Sequence, residues 1–195
     1  MGDGRGVIRN FERQSQTGLT LVELLITLAV AAVVLTLGAP SLATLLKDSG
    51  LRQHAVSLHS AVIRGRTEAL SRASFVTLCA ATQDLNSCRT SGGDWSDGWL
   101  LFVDQGTPLQ YDEGDTLLLV QGGDSQISVT ADSGLGVALS FSAKGFAQSP
   151  SGTTAGRLIV CDDRKTSSKS RSVTINRLGN SVFSKTVSDA ATACG

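Results

Sequence analysis

The sequence carries no net charge and few of the groups that enzymes use. Its 17 basic residues balance 17 acidic ones, and it has only 2 histidines. A balanced charge gives no general attraction to nucleic acid. The sequence contains neither the Gly-Lys-Ser/Thr loop that cradles phosphate nor the Gly-x-Ser-x-Gly turn of many hydrolases. His54 and His59 lie on different faces of a predicted helix and cannot readily form a shared base or metal pair. These absences predict a protein that is not an enzyme and uses no cofactor.

Residues 24–46 form an uncharged, apolar run of 23 residues. As a helix with a rise of ~1.5 Å per residue, the run matches a hydrocarbon core ~30 Å thick. It exceeds the ~7 to 15 residues of an ordinary signal-peptide core. Glu23 stands at the head of the run, where a carboxylate is costly and needs a functional reason. Residues 1–18 are polar and mixed in charge. The order predicts a processed leader followed by a membrane anchor.

The segment Gly18-Leu19-Thr20-Leu21-Val22-Glu23 resembles the prepilin signature of type IV pilins and type II secretion pseudopilins. The resemblance implies that a prepilin peptidase cleaves after Gly18 and methylates Leu19. It also implies that Glu23, the fifth mature residue, serves assembly. Leu19 departs from the usual phenylalanine, a substitution that the family tolerates. Pro40 falls where many pilins kink this helix.

The residues after Pro40 predict an amphipathic helix arm, residues 47–73, followed by a β-rich head. An apolar stripe runs along the arm at helical spacing, with a second row alongside it at intervals of seven: Leu51, Ala55, Leu58, Val62 and Ala69, then Val56, Ile63 and Leu70. Gly65 lies near the stripe, where the lack of a side chain permits a sheet to approach closely. Beyond residue 73 the period changes to two, and glycine-rich turns separate short strands, at residues 74–80, 99–104, 116–121, 127–130, 137–141, 157–161, 171–176 and 181–187.

These patterns predict an α+β fold. A long N-terminal helix, half transmembrane and half amphipathic, packs on a pilin-like head of two antiparallel sheets. The predicted divisions are a leader (1–18), a transmembrane helix (19–46), the helix arm (47–73) and a periplasmic β head (74–195).

The segment Arg66-Thr67-Glu68-Ala69 resembles the Arg-Ser/Thr-Glu-Ala segment of the GspH/FimT family of minor pilins and pseudopilins. That family has a strand after the helix, a glycine-rich β head and late strands that end in a cysteine. The alternative is that Arg66 and Glu68 form an ordinary charged pair on the surface.

Four cysteines lie in the part of the chain expected outside the inner membrane. An oxidising periplasm favours disulfides, and three pairings are possible. We favour Cys79 with Cys88, which closes a short loop, and Cys161 with Cys194, which ties the last residues to a strand. Zinc is the rival interpretation, but the sequence has no Cys-x-x-Cys and both histidines lie on the helix arm. The acidic run at residues 112–115 lacks the ligand spacing of a known calcium loop.

Charge is unevenly distributed over the predicted head. Acidic residues dominate between residues 84 and 132, and basic ones between 161 and 185. Separate acidic and basic regions are suited to docking between neighbouring heads in a filament. They also leave a DNA interface open as a hypothesis, with contacts from Arg164, Lys165, Lys169, Arg171, Arg177 and Lys185. Against DNA binding, Asn176-Arg177-Leu178-Gly179-Asn180 replaces the Gly-Arg-x-Arg segment of DNA-binding FimT-like pilins.

Three hypotheses follow from the resemblance. The first is a FimT/FimU-like minor pilin, a structural subunit that initiates or caps a type IV pilus. The second is the H-type minor pseudopilin of type II secretion, and the third is a DNA receptor at a pilus tip. The expected partners are other pilins or pseudopilins, the prepilin peptidase and the inner-membrane assembly platform. The expected location is the bacterial inner membrane, by a single span with a periplasmic head, and then the filament.

Overall fold

A computed structural model describes residues 18–152, 156–166, 169–185 and 194. One long helix, α1, covers Leu21–Arg72. The chain forms two compact units, Met1–Ala43 and Thr44–Gly195. The predicted boundary between residues 46 and 47 lies inside this continuous helix, and the predicted boundary at residue 73 lies just after its end. Both boundaries remain predictions. Leader residues 1–17 lie outside the described residues.

In the first unit, the described part of α1 is exposed along its whole length. Its leucine, isoleucine and valine side chains contact no core, which sets it apart from a core helix of a soluble domain. By length and composition, α1 is the one helix among the described residues that qualifies as a membrane span.

The described residues of the second unit comprise the rest of α1 and nine strands in two antiparallel sheets. The strands are β1 (Val76–Ala80), β2 (Gly98–Val103), β3 (Thr116–Gly122), β4 (Ile127–Ala131), β5 (Ala138–Phe141), β6 (Ala147–Gln148), β7 (Gly156–Asp162), β8 (Arg171–Ile175) and β9 (Ser181–Ser184). Sheet 1 has the order β3-β2-β1-β5-β6, and sheet 2 has the order β4-β7-β8-β9. The α+β architecture with two antiparallel sheets confirms the sequence prediction.

The apolar stripe of α1 is buried against the sheets, as predicted. Leu51, Ala55, Leu58, Val62 and Ala69 are buried in one core to which both sheets contribute. Gly65 brings the helix close to sheet 1, because a Cβ atom there would lie 3.0 Å from Cδ1 of Leu101. The close approach predicted for Gly65 is confirmed.

The second apolar row of α1 differs from the first, because it faces away from the core. Val56, Ile63 and Leu70 are 44%, 50% and 48% exposed. Their spacing of seven places them on one side of the helix, next to the buried stripe. This exposed row borders a groove between α1 and the turn that joins β8 to β9.

Two inner strands of sheet 1, β1 and β2, are buried on both faces. One face carries the helix and the main core, and the other carries a second cluster that includes Cys79, Leu100 and Phe102. Leu85, Leu109 and Tyr111 from the loops pack over that second cluster. Strand β6, with two residues, is too short to give a periodic signal and was missed by the sequence pattern.

Candidate processing and assembly site

The predicted cleavage position precedes the first turn of α1. Gly18, Leu19 and Thr20 have no regular secondary structure, and all three are exposed. A peptidase needs an accessible, extended backbone at the bond that it cuts. The exposure of Gly18 and Leu19 makes this bond accessible in the described monomer.

Thr20 caps the helix at this point. The backbone N–H of Glu23 donates to Oγ1 of Thr20 at 3.2 Å, and the N–H of Leu24 donates to the Thr20 carbonyl at 3.2 Å. Threonine at the N-cap satisfies an N–H that has no partner inside the helix. The Thr-x-x-Glu spacing in the sequence is the signal that identifies this cap, and the sequence interpretation overlooked it.

Glu23 lies in the first turn of α1 with its side chain exposed. The helix dipole places partial positive charge at this end, so a carboxylate is better tolerated here than at the helix centre. The described monomer shows no ion pair to Glu23. Its assembly role therefore remains a prediction.

The apolar segment that follows needs a partner that the monomer does not supply. Each large aliphatic side chain kept in water forgoes ~1.5 to 3 kcal/mol of burial free energy. Two of its hydroxyl groups bond to the backbone of the same helix: Oγ1 of Thr27 donates to the Leu24 carbonyl at 2.9 Å, and Oγ1 of Thr36 donates to the Val33 carbonyl at 2.8 Å. Such bonds satisfy hydroxyl groups in a lipid or in a bundle of apolar helices.

Pro40 lies inside α1, and the helix continues on both sides of it. Proline removes one backbone hydrogen bond of the helix and its ring crowds the preceding turn. The kink predicted at Pro40 stays a prediction.

In the head, the structure pairs Cys79 with Cys88 and Cys161 with Cys194, the pairing that we favoured. The Cys79–Cys88 bond is named here the short-loop disulfide, with a sequence separation of 9 and a Cα–Cα distance of 5.7 Å. The Cys161–Cys194 bond is named the long-loop disulfide, with a separation of 33 and a distance of 5.9 Å. The described residues contain no free cysteine.

Arg66 and Glu68 do not form the charged pair that was the alternative for this motif. Two residues apart, they lie on different sides of the helix. Glu68 accepts from Nε of Arg72 at 2.7 Å, whereas Nε of Arg66 donates to the Gly145 carbonyl at 3.2 Å. Arg66 thus connects the end of α1 to the turn between β5 and β6.

The basic residues after Cys161 are partly occupied by contacts within the head. Nη2 of Arg164 lies 2.6 Å from Oδ1 of Asp48 in an ion pair without hydrogen-bond geometry, and Nε of Arg164 donates to Asp162 at 2.8 Å. Nζ of Lys169 donates to Oδ2 of Asp48 at 2.9 Å. The hydrogen bond from Lys169 and the ion pair with Arg164 hold the pKa of the Asp48 carboxyl below its ordinary value. In turn, the bond to Asp162 raises the pKa of Arg164.

Among the remaining predicted DNA contacts, Arg171 is engaged by backbone carbonyls and the others are exposed. Nη1 of Arg171 donates to the carbonyls of Lys169, Ser170 and Lys185. The side chains of Lys165, Arg177 and Lys185 are exposed. Because ion pairs and carbonyls engage Arg164, Lys169 and Arg171, less positive charge is available to phosphate than the sequence suggests. The DNA interface stays a prediction.

The acidic loop between β2 and β3, residues 104–115, is held together by its own carboxylates. Asp115 accepts from the backbone N–H groups of Gln105 and Gly106 at 2.8 and 3.2 Å. Asp112 accepts from Thr107 at 2.7 Å and from Gly114 at 3.1 Å, and these bonds lower its pKa. Over the described ranges of the chain, no group of three or more His, Cys, Asp or Glu is placed to hold a metal ion.

Comparison with known proteins agrees with this architecture. The family model described as "Type II transport protein GspH" matches residues 54–179, more than half of the chain. The model described as "Prokaryotic N-terminal methylation motif" matches residues 13–39, which include the cleavage position and Glu23.

Among curated proteins, the pilin-like protein PilA1 of Thermus thermophilus is 38% identical over 101 residues. The match covers 52% of this chain and 56% of PilA1, so the chain spans little more than half of that relative.

Among solved structures, two crystal forms of the Pseudomonas aeruginosa type IV minor pilin FimU are similar to the chain. Their TM-scores are 0.52 and 0.54 at 17% identity. They cover 68% and 71% of this chain and 91% and 90% of the FimU chains. At that identity the likeness establishes the fold.

Proposed function

This chain belongs to the family of the type II transport protein GspH, and we propose that it is a minor pilin of a type IV pilus that helps to initiate or cap pilus assembly. The observation that carries the proposal is that the exposed segment from Gly18 to Thr20 stands, with its cap, directly before an apolar helix half that is exposed along the described residues. The similarity of the head to FimU supports the choice of a pilus.

In this proposal, the prepilin peptidase cuts between Gly18 and Leu19 and methylates the new amine. The apolar half of α1 holds the subunit in the inner membrane, and the disulfide-bonded head lies in the periplasm. The assembly platform then extracts the subunit, and apolar helices of neighbouring pilins replace lipid around α1. The family motif and the apolar helix support this course of events.

Glu23 would determine the register of the helices. A carboxylate inside an apolar bundle is costly alone and far less costly when it is paired. The methylated amine of Leu19 is the partner that the family implies. A single pairing geometry would then set the axial position of each helix relative to its neighbour in the filament.

The cleavage step is tested with Gly18→Val in the full-length chain. A branched side chain should block the peptidase, and the precursor should persist with its leader. Gly38→Ala is the matched control, because an added Cβ there meets nothing within 4 Å. Mass spectrometry should find a mature wild-type chain that begins at methylated Leu19. A wild-type chain that keeps its leader in cells with an active prepilin peptidase would exclude the proposal.

The assembly step is tested with Glu23→Gln, which keeps the size of the side chain and removes its charge. We expect normal cleavage but loss of the subunit from sheared filaments. Thr27→Val is the matched control in the same helix, because it removes a polar group that bonds only to the Leu24 carbonyl. Equal amounts of both variants in filaments would contradict a registration role for Glu23.

A second candidate is the H-type minor pseudopilin of type II secretion, which the description of the matching family favours. The same processing and helix packing apply to both. Deletion of the gene distinguishes them: loss of surface pili and twitching motility indicates the pilus, and loss of protein secretion with normal pili indicates the pseudopilus.

A further inference from the structure

A groove lies between the exposed row of α1 and the turn that joins β8 to β9. We call it the Arg66 groove, and it is lined by Ile63, Arg66, Thr67, Leu70, Gly179, Asn180 and Ser181. Its volume is about 400 Å³. Leu178 beside it is 55% exposed, so apolar side chains from both the helix and the turn border the opening.

The groove carries positive charge that is not paired with a carboxylate among the described residues of the head. Arg66 is half-buried, and its one hydrogen bond within the described residues goes to the Gly145 carbonyl. Lys144 and Arg177 are exposed on the two turns that meet Arg66. Within the described part of the chain, no carboxylate forms an ion pair with any of these three cations. A guanidinium beside apolar side chains favours a ligand that combines a carboxylate with aliphatic groups.

The acidic loop offers a carboxylate near an aliphatic side chain, and its internal hydrogen bonds hold it in one conformation. Asp104 accepts from Oγ1 of Thr77 at 2.6 Å and from the backbone of Leu109 at 2.8 Å, in addition to the bonds of Asp112 and Asp115 described above. Glu113 is exposed at the tip of the loop, and Leu117, at the start of edge strand β3, is 40% exposed. A loop that is already ordered loses little conformational entropy when it binds.

The strand register places the groove and the loop at the same end of sheet 1. Val76 at the start of β1 pairs with Val103 at the end of β2 and with Phe141 at the end of β5. The acidic loop leaves the sheet after Val103, and the turn that carries Lys144 leaves it after Phe141. The loop leads to β3 and the turn to β6, which are the two outer strands of sheet 1. The loop and the turn therefore leave the same end of sheet 1 and lead toward its opposite edges.

We infer that the Arg66 groove receives the acidic loop of a second copy of this chain, with Glu113 meeting the cations and Leu117 meeting the aliphatic border. Charge complementarity between the two surfaces is the ground for choosing a second copy. The contact joins different surfaces, so a pair of copies still leaves one surface of each kind available to other pilins. The inference rests on the proposed function in one respect, namely that subunits assemble side by side.

Cysteine cross-linking in cells tests the contact with the full-length chain. Two copies with different tags are produced together, one with Thr67→Cys in the groove and one with Glu113→Cys at the loop tip. We expect a disulfide-linked dimer that carries both tags, and no dimer when either variant is produced alone. The control replaces Thr67→Cys with Ser125→Cys, an exposed position away from the groove, and should give no dimer.

Each alternative result overturns the inference. A dimer from Glu113→Cys alone would mean that the loops meet each other. A cross-link from Thr67→Cys to a different pilin, without a mixed-tag dimer, would mean that another protein occupies the groove. Cleaved copies that enter filaments without cross-linking would refute the contact and leave the proposed function intact, whereas failure of cleavage and incorporation would refute that function.

Charge reversal separates recognition from folding. For this test the second cysteine is placed at Thr116, so that Glu113 is kept in the partner copy. Arg66→Glu in the Thr67→Cys copy should abolish the mixed-tag dimer, and Glu113→Lys in the partner copy should restore it. Lys144→Glu serves as a second variant, because Lys144 makes no described bond and its replacement should not impair folding. Failure of Glu113→Lys to restore the dimer in both backgrounds would contradict the inference.

Discussion

Gly65 sets the distance between α1 and sheet 1, and its replacement by alanine gives a worked test of the fold. The new Cβ would lie 3.0 Å from Cδ1 of Leu101 and 3.2 Å from two ring carbons of Phe141. These neighbours would have to move by a few tenths of an ångström. Overpacking of a core costs ~1 to 3 kcal/mol. Alanine recovers ~1 kcal/mol of helix propensity. Gly65→Ala should therefore leave the free energy of unfolding unchanged or lower it by up to ~2 kcal/mol, as the difference of these terms.

Gly50→Ala isolates the packing cost, because Gly50 lies in the same helix and an added Cβ there meets nothing within 4 Å. That variant should gain the helix propensity alone, so the two variants should differ by ~1 to 3 kcal/mol. Urea unfolding of the full-length chain in mild detergent can be followed by the fluorescence of Trp95 and Trp99, which are fully buried. If Gly65→Ala is at least as stable as Gly50→Ala, the helix does not approach the sheet as described.

Three further predictions use the same unfolding assay. Burial lowers the pKa of His54 below its ordinary 6.5, against a smaller opposing effect of Asp124. Stability should therefore fall as the pH drops below 6.5, and His54→Gln should flatten the pH profile of stability on the acid side of 6.5. The lowered pKa of Asp48 means that its bonds to Lys169 and Arg164 stabilise the fold above pH 3.8 and are lost as the pH falls through the lowered value. Asp48→Asn should lower the urea midpoint at neutral pH, less so in about 1 M salt, and an unchanged midpoint at low salt would contradict the pairing. Replacing both cysteines of one disulfide by alanine should lower the free energy of unfolding by ~3.7 kcal/mol for the long-loop disulfide and by ~2.6 kcal/mol for the short-loop disulfide, on the loop-entropy model. A larger loss for the short-loop disulfide would refute that account.

Much of the fold could be predicted from the sequence because the signals are local. The apolar run, the stripe that begins at Leu51 and the change to period two beyond residue 73 each reflect one element and its burial. The strand order could not be predicted, because it depends on which strands meet across the core. The β1–β5 pairing, for example, joins distant parts of the chain, with Val76 opposite Phe141.

The electrostatic contacts were harder to predict than the strands. Counting basic residues after Cys161 suggested a surface open to phosphate. In the structure Arg164 and Lys169 both contact Asp48, which lies far earlier in the chain, on α1. A charge count treats each side chain as solvated, and only the tertiary structure shows which cations are already paired.

The family segment at residues 66–69 shows how such a pattern acquires a physical meaning. Ala69 is fully buried, so a larger side chain there would push α1 away from the core. Arg66 donates to the Gly145 carbonyl, and a Cβ on Gly179 would lie 2.9 Å from Nε of Arg66. Gly145 and Gly179 both have positive φ angles, of 77° and 74°, which glycine adopts without strain. Arg66 thus donates to a turn of sheet 1 and packs against a turn of sheet 2, and it also lines the groove. Arg66 therefore both joins the helix to these turns and gives the groove its charge.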